Sequence, residues 1–355
     1  MKVRRLGYIV ALTNLVWHRQ IPLPVLVKEI ERWSDENEHH LADFCKKLPV
    51  VRRRGIPITG QLKKDDSARR YIAAAEEMGF LTRVTGGYQN TKAGEVLSSL
   101  PREENPFKLT LSQKHLIFKH LLVRDHDYLV SLLAAVIAQS EGEEWSRFQT
   151  GVMQIWKKKV RMAKSQSEYL ALHDAFDTIR SWKRNPKRHY HEDIKATRIE
   201  WLLDLGLAKH WNQTNNSVDL RQCVKALLAK DLLDSNWIEN NYTEEFSRCY
   251  DSARDVSRLA WSQYPPSSQD TMMIEILREA VTRFRPLESL FKISADQFFD
   301  FADSVLLDRK RVVASYHELR SSLASLSESK TTPFKYVETV APADSGYILC
   351  ETDIV

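Results

Sequence analysis

The same order of local elements occurs twice in this chain: an amphipathic helix that ends in glycine, a short hairpin, and then another helix. The first copy is "SARRYIAAAEEMGFLTRVTGGYQNTKAGEVL" (67–97), and the second is "IEWLLDLGLAKHWNQTNNSVDL" (199–220). Gly79 and Gly206 each follow the helix at the position where a positive φ favours glycine. Short amphipathic helices resemble one another by chance, but a repeated order of several elements indicates a repeated structural unit.

Turn residues place the hairpins of both copies. The pair Gly86-Gly87 predicts the turn of the first hairpin, and residues 212–217 predict the turn of the second. A third and weaker copy is predicted at 294–350, where two helices precede two strands around a turn with Pro, Asp and Gly. This copy departs most from the pattern, because its glycine, Gly346, lies in the turn instead of ending the helix.

Most of the remaining sequence has helical periodicity, which predicts a mainly α fold. Glycine is scarce, with 11 residues in a chain of 355, about half of its usual share. Neither G-x-G-x-x-G nor G-x-x-x-x-G-K-[ST] occurs. The sequence therefore argues against dinucleotide-binding and P-loop folds, which use glycine to bring the backbone close to phosphate.

The stretch "RRYIAAAEEMGFLTRVTGGYQNTKAGEVL" (69–97) resembles the second half of a winged-helix domain, in which a helix-turn-helix is followed by a two-stranded wing. The stretch "TRIEWLLDLGLAKHWNQTNNSVDL" (197–220) is similar to it. The break at glycine, the short hairpin and the "T..G..L" helix start also resemble the DNA-recognition regions of some type IIS restriction endonucleases. The resemblance implies tandem winged-helix units with short β-hairpin wings, joined by helical segments.

A chain of 355 residues is long enough for two or three modest domains. With the resemblance, we predict an N-terminal winged-helix domain at 1–105 and a helical connector at 106–165. A second winged-helix-like domain is expected at 166–245. A helical segment and a C-terminal winged-helix-like unit are expected at 246–355.

Basic residues are concentrated locally, although the formal net charge is only +5. They cluster at 46–70, 156–164 and 180–198, whereas acidic residues gather after Asp231. A local basic face on a nearly balanced protein favours contact with phosphate, and solvated helix faces are the alternative interpretation. Together with this charge distribution, the resemblance implies duplex DNA as the partner, and we also expect other protein subunits.

If the resemblance holds, residues 68–78 form the recognition helix and the wing carries Arg83, Gln89 and Asn90. Arginine and lysine neutralise phosphates and release counterions, and amide side chains suit base edges in a groove. The basic residues that the resemblance assigns to nucleic acid are Arg52, Arg53, Arg54, Lys63, Lys64, Arg69, Arg70, Arg83, Lys92, Lys187, Arg188, Lys195 and Arg198. The second copy is more apolar, and Trp201 and Leu203 lie off its inner face, which indicates packing against a neighbour.

No metal, cofactor or catalytic residue is predicted with these motifs. Asp193 and Lys195, with Asp177 upstream, have the D-x-K spacing of metal-dependent nucleases, but they lie at a helix start instead of on a strand. "RNPKRH" places Arg184 and His189 at the R-x4-H spacing that resembles HEPN ribonucleases, in which both residues activate an RNA 2′-hydroxyl. Pro186 and the basic run give this segment the composition of a linker.

The N-terminal stretch "MKVRRLGYIVALTNLVWHRQ" has the basic start and apolar run of a signal peptide. The run is short, however, and no small-residue cleavage site follows it, so it predicts a buried first helix. The four cysteines, Cys45, Cys223, Cys249 and Cys350, are scattered, which predicts free thiols in a reducing compartment. We expect a cytoplasmic protein without a membrane partner.

These observations predict a non-catalytic protein that recognises duplex DNA. It would act as a regulator or as the recognition subunit of a bacterial antiviral defence or restriction-type complex. One alternative is a protein–protein adaptor built from winged-helix units, with the acidic, Trp-containing segment 231–261 as its partner surface. Another alternative is a HEPN-like ribonuclease that uses Arg184 and His189. The sequence does not indicate the oligomeric state.

Overall fold

A computed structural model of the chain describes residues 3–48, 52–53, 56–57, 62, 65–137, 144–181, 190–212, 217–220, 242, 246, 259–284, 291–329, 334–338 and 346–350. The described part is mainly helical with small sheets, as the sequence predicted. The helices are α1 (Gly7–Leu15), α2 (Leu23–Glu36), α3 (Glu38–Lys46), α4 (Asp65–Glu77), α5 (Lys92–Ser99), α6 (Leu111–Arg124), α7 (His126–Ile137), α8 (Glu144–Arg161), α9 (Gln166–Ser181), α10 (Tyr190–Asp204), α11 (Pro266–Phe284), α12 (Ala295–Val305) and α13 (Tyr316–Glu328).

The strands are short, and all but one pair of them run antiparallel. They are β1 (Arg52–Arg53), β2 (Ile56–Pro57), β3 (Leu81–Val84), β4 (Gly87–Asn90), β5 (Ala208–Asn212), β6 (Ser217–Leu220), β7 (Leu259–Ala260), β8 (Phe291–Ser294), β9 (Val312–Val313), β10 (Phe334–Val337) and β11 (Tyr347–Cys350). One turn of 3-10 helix (Trp261–Gln263) and one of π-helix (Leu306–Lys310) complete the described elements.

The first helix is buried, as predicted. Every residue from Gly7 to Thr13 is buried against the surrounding helices. In the part of the chain that the structure describes, no helix combines the length and the apolar character needed to cross a membrane.

Both predicted helix–glycine breaks have the same backbone geometry. Gly79 and Gly206 have φ of 82° and 69°. After α4, the N–H of Phe80 donates to the carbonyl of Ala75 at 2.9 Å. After α10, the N–H of Leu207 donates to the carbonyl of Leu202 at 2.8 Å. These bonds define a Schellman motif at both sites and confirm the prediction that glycine ends each helix.

The start of α5 explains the "T..G" spacing that follows the first hairpin. The Oγ1 of Thr91 accepts the N–H of Gly94 at 3.1 Å and donates to the carbonyl of Gly79 at 2.6 Å. Thr91 therefore caps α5 and ties it to the end of α4. A Cβ at Gly94 would lie 2.0 Å from the carbonyl oxygen of Phe80, so only glycine fits at this approach.

The first hairpin turns one residue earlier than the sequence predicted. Val84 pairs with Gly87, so Thr85 and Gly86 form the two-residue loop, and Gly86 has a φ of 93°. Gly87 is the first residue of β4, and glycine is required there because the backbone of Ile21 approaches it closely. Ile21 and Tyr88 exchange two backbone hydrogen bonds of 2.9 and 2.8 Å. The N-terminal unit thus has a three-membered ladder in the order Ile21, β4, β3.

Gly87→Ala is expected to separate this ladder. A Cβ at Gly87 would lie 2.3 Å from the carbonyl oxygen of Ile21, which is a backbone atom and cannot rotate away. Overpacking of this kind costs about 1–3 kcal/mol. Urea unfolding should show the loss, and hydrogen exchange should show faster exchange at the amide of Tyr88. The matched control is Gly151→Ala in α8, where the nearest atoms lie at 3.4 Å and alanine favours the helix. Slow exchange at Tyr88 in the first variant would contradict the prediction.

The C-terminal unit repeats the strand order of the N-terminal unit. It runs from α11 through β8, α12 and α13 to β10 and β11, and its sheet has the order β10-β11-β8. The last strand therefore pairs with both earlier ones, as β4 pairs with β3 and Ile21. As expected for the copy that departs most from the pattern, α13 ends at Glu328 without a glycine, and Gly346 directly precedes β11. The sequence reasoning missed β8, which completes this sheet.

The second half of α10 is buried. Every residue of α10 from Thr197 to Asp204 is buried, and the indole N–H of Trp201 donates to the carbonyl of Val3 at 3.0 Å. This contact confirms that Trp201 packs against a neighbouring segment. The hairpin β5–β6 follows, with a bulge between Ala208 and His210.

Polar contacts join the three units. Arg5 pairs with Glu200 and Asp204, and all three side chains are buried. On the other side, the amide of Gln297 in α12 donates to Glu95 in α5 at 2.6 Å. In the same region, Lys119 in α6 pairs with Asp300 in α12 at 2.9 Å. The N-terminal unit therefore contacts both of the other units.

Candidate nucleic-acid interface

Helix α4 has one buried face and one exposed face. Its buried residues include Ile72, Ala75 and Met78, as the periodicity predicted. The exposed residues of α4 are Asp66, Arg69, Arg70, Ala73, Glu76 and Glu77. The arginines lie in the first half of the helix and Glu76 and Glu77 at its end, so the exposed face is basic only towards its N-terminal end.

A side-chain hydrogen bond fixes the β3–β4 hairpin, the predicted wing, against this helix. The hydroxyl of Tyr88 on β4 donates to Glu76 Oε2 at 3.3 Å. Arg83 on β3 is the direct partner of Tyr88, and partners in an antiparallel pair share one face of the hairpin. Arg83 is exposed there. We call the exposed residues Arg69, Arg70, Ala73 and Glu76 of α4, together with Arg83, the helix–wing surface.

Spacing along α4 makes the helix–wing surface continuous. Arg69, Ala73 and Glu76 are separated by four and three residues, which places them on one stripe of the helix. The stripe leads from the arginines to the hairpin. Arg70 makes an ion pair with Asp66 one turn earlier, and both side chains are more than half exposed. Exposed pairs of this kind contribute little to stability, so a phosphate can replace Asp66 at small cost.

The loop before α2 supports the turn of the β3–β4 hairpin. The amide of Gln20 donates to the carbonyl of Thr85 in the hairpin loop. Arg19 beside it is half exposed and pairs with Glu29 at 2.8 Å. Sequence reasoning missed these two residues, because a short connection between helices has no periodic pattern that would single them out.

The other predicted basic residues of the first unit are distributed as follows. Arg52 and Arg53 form β1, where they pair with Pro57 and Ile56 of β2. Lys92 is exposed, but its Nζ donates to the hydroxyl of Ser294 at 2.8 Å, towards the C-terminal unit. The predicted residues that lie outside the described residues are Arg54, Lys63, Lys64, Lys187 and Arg188.

The structure corrects the prediction for Lys195 and Arg198. Lys195 is 5% exposed and Arg198 is 2% exposed. The Nε of Arg198 donates to Asp125 Oδ2 at 2.5 Å, and its Nη2 donates to the other oxygen of the same carboxylate. A guanidinium that is neutralised by a bidentate partner in the interior has no exposed donor for phosphate. We therefore no longer assign either side chain to nucleic acid.

No family model, no curated protein and no solved structure matches the chain. The hypothesis that the helix–wing surface contacts nucleic acid therefore depends on the geometry and charge of that surface alone.

The nuclease and metal alternatives gain no geometric support from the described residues. In that part of the chain, no group of three or more His, Cys, Asp or Glu side chains is arranged to hold a metal ion. Asp177 on α9 lies 3.4 Å from His173, whereas Lys195 is buried in α10. Arg184 and His189 lie outside the described residues. The predicted free thiols are found at Cys45 and Cys350.

Proposed function

We propose that this chain binds duplex DNA and that its N-terminal unit is a winged helix, with α4 as the recognition helix and β3–β4 as the wing. The supporting topology is a set of helices followed by a further helix and a two-stranded hairpin, as the resemblance implies. The C-terminal unit, with the same strand order, is a second winged helix in this proposal. The second unit serves as the scaffold between them, because α10 is buried.

One observation carries the proposal: α4 and the wing are held together while Arg69, Arg70 and Arg83 remain exposed on the surface that they share. In this proposal the arginines neutralise phosphates on either side of a groove. Ala73 lies between them and Glu76, and its small side chain lets the helix backbone come close to the bases. Glu76 is engaged by Tyr88, which directs that carboxylate towards the wing.

The double variant Arg69→Ala/Arg70→Ala is expected to weaken binding to a duplex of about 20 base pairs by roughly tenfold or more. Each lost phosphate contact should reduce the slope of log K against log salt by about 1. The measurement is fluorescence anisotropy of labelled duplex over a range of salt concentrations. Loss of affinity that is uniform across sequences would indicate phosphate contacts, and loss that depends on sequence would indicate base contacts.

The matched control is Arg278→Ala/Lys310→Ala, which removes two exposed charges from the C-terminal unit and leaves the helix–wing surface intact. It is expected to reduce affinity less and to leave most of the salt slope in place. If the wild-type chain binds duplex no better than an unrelated acidic polymer at low salt, the proposal is wrong. Equal losses in the two double variants would instead remove α4 from the interface.

A separate observation favours the protein–protein adaptor as a second candidate function. Three large apolar side chains of the helices α8 and α9 and their connection are exposed: Met162 by 65%, Leu170 by 54% and Tyr169 by 40%. Exposed apolar side chains that lie together often mark a binding surface for another protein. A chain that shows no salt-dependent duplex binding but forms a stable complex through these residues would favour this candidate. The defence or restriction-type role and the ribonuclease alternative stay predictions.

A further inference from the structure

The sheet of the C-terminal unit has an inner face that packs on helices and an outer face with different side chains. On the inner face, Ile348 and Ile293 are buried, and the ring centroid of Tyr336 lies 6.5 Å from that of Phe299 in α12. Successive residues of a strand point to opposite faces, so the residues that alternate with these belong to the outer face. We call the following six side chains the outer sheet face: Lys335 and Val337 of β10, Tyr347 and Leu349 of β11, and Lys292 and Ser294 of β8.

The strand register arranges the outer sheet face in two rows. The first row runs from Lys335 through Leu349 to Lys292, and the second row has Tyr347 at its centre. Direct partners in an antiparallel pair have Cβ atoms about 5 Å apart, so the Cβ atoms of the two lysines are about 10 Å apart. Both lysines are exposed, and the other four side chains are half-buried. The two cations therefore flank a less polar centre.

Two ammonium groups reach the second row. Lys292 Nζ lies 3.9 Å from the centroid of the Tyr347 ring. Ser294, the cross-strand partner of Tyr347, accepts a hydrogen bond from Nζ of Lys92 at 2.8 Å. Lys92 is the first residue of α5 in the N-terminal unit, and it is exposed. The outer sheet face, together with this lysine, thus combines one aromatic ring with three cations.

The carboxylates near the sheet are engaged elsewhere. In the part of the chain that the structure describes, neither of the two strand lysines forms an ion pair. Glu338 follows β10 and lies 3.6 Å from an arginine of α13, which packs on the inner side. Burial raises the pKa of Tyr336 on that side, and the charges of Glu338 and Asp296 add to the effect. Glu95, one turn after Lys92 on α5, accepts a hydrogen bond from an amide of α12 at 2.6 Å. The outer sheet face is therefore positively charged.

This combination of charge and ring defines the chemistry of a partner. A surface whose charged side chains are all lysines attracts a polyanion. An aromatic ring among such cations suits an unpaired nucleic-acid strand, because a base stacks on the ring while the phosphates follow the cations. A base stacked on an aromatic ring is held more strongly than a cation over an exposed ring. A base can therefore displace Lys292 from Tyr347, and the released ammonium group can pair with a phosphate.

We propose that the outer sheet face binds a single-stranded nucleic acid. One base stacks on Tyr347, and the neighbouring phosphates pair with Lys292, Lys335 and Lys92. A duplex fits less well, because its bases are already stacked on one another and offer no open ring to the tyrosine. The inference goes beyond the proposed duplex binding and uses none of the residues of the helix–wing surface.

The first test measures binding of a labelled strand of about ten thymidine nucleotides to the full chain by fluorescence anisotropy at several salt concentrations. Lys292→Ala/Lys335→Ala should reduce the affinity roughly tenfold at low salt and the slope of log K against log salt by about 1.4, or about 0.7 for each lost phosphate contact. Arg278→Ala/Lys310→Ala, which removes two exposed charges from the same unit outside the sheet, is the matched control and should retain most of both. Equal losses in the two double variants would overturn the proposal.

A second set of variants tests the stacking. Tyr347→Ala should reduce the affinity for the thymidine strand at least about fivefold, and it should change the affinity for an abasic strand of equal length much less. Tyr347→Phe keeps the ring and should retain the binding. If Tyr347→Ala affects both strands equally, the ring contacts no base and the proposal is wrong. The lysine variants replace exposed side chains, so they keep the test decisive even if Tyr347→Ala does not fold.

Competitors distinguish the other occupants of the outer sheet face. Tighter binding of polyglutamate or of vesicles with phosphatidylserine than of the thymidine strand would overturn the proposal, as would the absence of binding to any single strand. A uridine strand of equal length that binds more tightly would identify RNA as the source of the strand. Arg69→Ala/Arg70→Ala should leave the effect of Tyr347→Ala in place, and the sheet variants should leave duplex binding in place. The two proposals therefore fail separately.

Discussion

Replacing Arg5 with methionine is expected to lower the free energy of unfolding by about 3–5 kcal/mol at pH 8. Arg5 is 3% exposed at its side chain, and it pairs with Asp204 and with Glu200, the latter at 3.3 Å. Without the guanidinium, two carboxylates that are almost completely buried lose their shared cation. Removal of one member of a buried ion cluster is destabilising chiefly because the remaining charges stay desolvated.

The pH dependence distinguishes this explanation from a simple loss of packing. Burial raises the pKa of Glu200 to about 7 and that of Asp204 to about 6, although Arg5 acts in the opposite direction on both. A carboxyl whose pKa is raised in the folded state stabilises the fold at low pH, and this stabilisation is lost as the pH rises through that pKa. Without Arg5 both pKa values rise further, so the deficit of the variant should be small at pH 5 and large at pH 8.

Urea unfolding of Arg5→Met and wild type at the two pH values tests this expectation. The control is Arg19→Ala, which breaks the half-exposed pair with Glu29 and should change stability by less than about 1 kcal/mol. A deficit of the same size at pH 5 and pH 8 would show that the aliphatic part of Arg5, and not its charge, is what matters.

Replacing Phe107 with alanine is expected to lower the free energy of unfolding by about 3–5 kcal/mol, because it leaves a cavity that the rigid surroundings fill only in part. Phe107 is 1% exposed, and its ring centroid lies 5.2 Å from that of Tyr8 and 5.4 Å from that of Trp33. Its ring also rests on the backbone of Gly7, where a Cβ would lie 2.8 Å from Cδ1. The ring thus holds α1 and α2 together from outside both helices.

Phe107→Leu is the matched comparison, because it keeps an apolar side chain in the site. It should retain most of the stability that alanine loses. Both variants are measured by urea unfolding with near-ultraviolet circular dichroism, which reports on the packing of Tyr8 and Trp33. If alanine and leucine destabilise the chain equally, ring packing at this position is not the source of the stability.

The features that follow from local chemistry were predicted from the sequence. Gly79 and Gly206 were placed at helix ends because a positive φ is a property of one residue, and both have it. The buried face of α4 was predicted from the spacing of three to four residues between its apolar side chains. The predicted turn of the first hairpin was one residue too late. Glycine is needed at position 87 for close contact with the backbone of Ile21, far away in the sequence, and not for the turn.

The features that depend on distant partners could not be predicted. Arg198 had the residue type and the neighbours of a phosphate ligand, but Asp125, 73 residues earlier, takes its guanidinium into the interior. The cavity of about 300 Å³ beside it is lined by side chains from five different helices, so no sequence motif marks it. The exposure of Arg69, Arg70 and Arg83 was easier to predict, since these residues lie on one helix and the hairpin that follows it.

Contacts of residues 4–6 limit how the chain can be cut into fragments. The backbone N–H groups of Arg4 and Arg5 both donate to the hydroxyl of Tyr71 on the inner face of α4, and the same segment pairs with Asp204 on α10. Residues 4–6 thus contact both the proposed recognition helix α4 and the buried helix α10. Cutting the chain near residue 105 to obtain a minimal fragment for DNA binding would remove Glu200 and Asp204, the carboxylate partners of this N-terminal segment. If the proposed duplex binding is correct, its specificity would have to be changed by substitutions on the intact chain, and not by exchanging units between proteins.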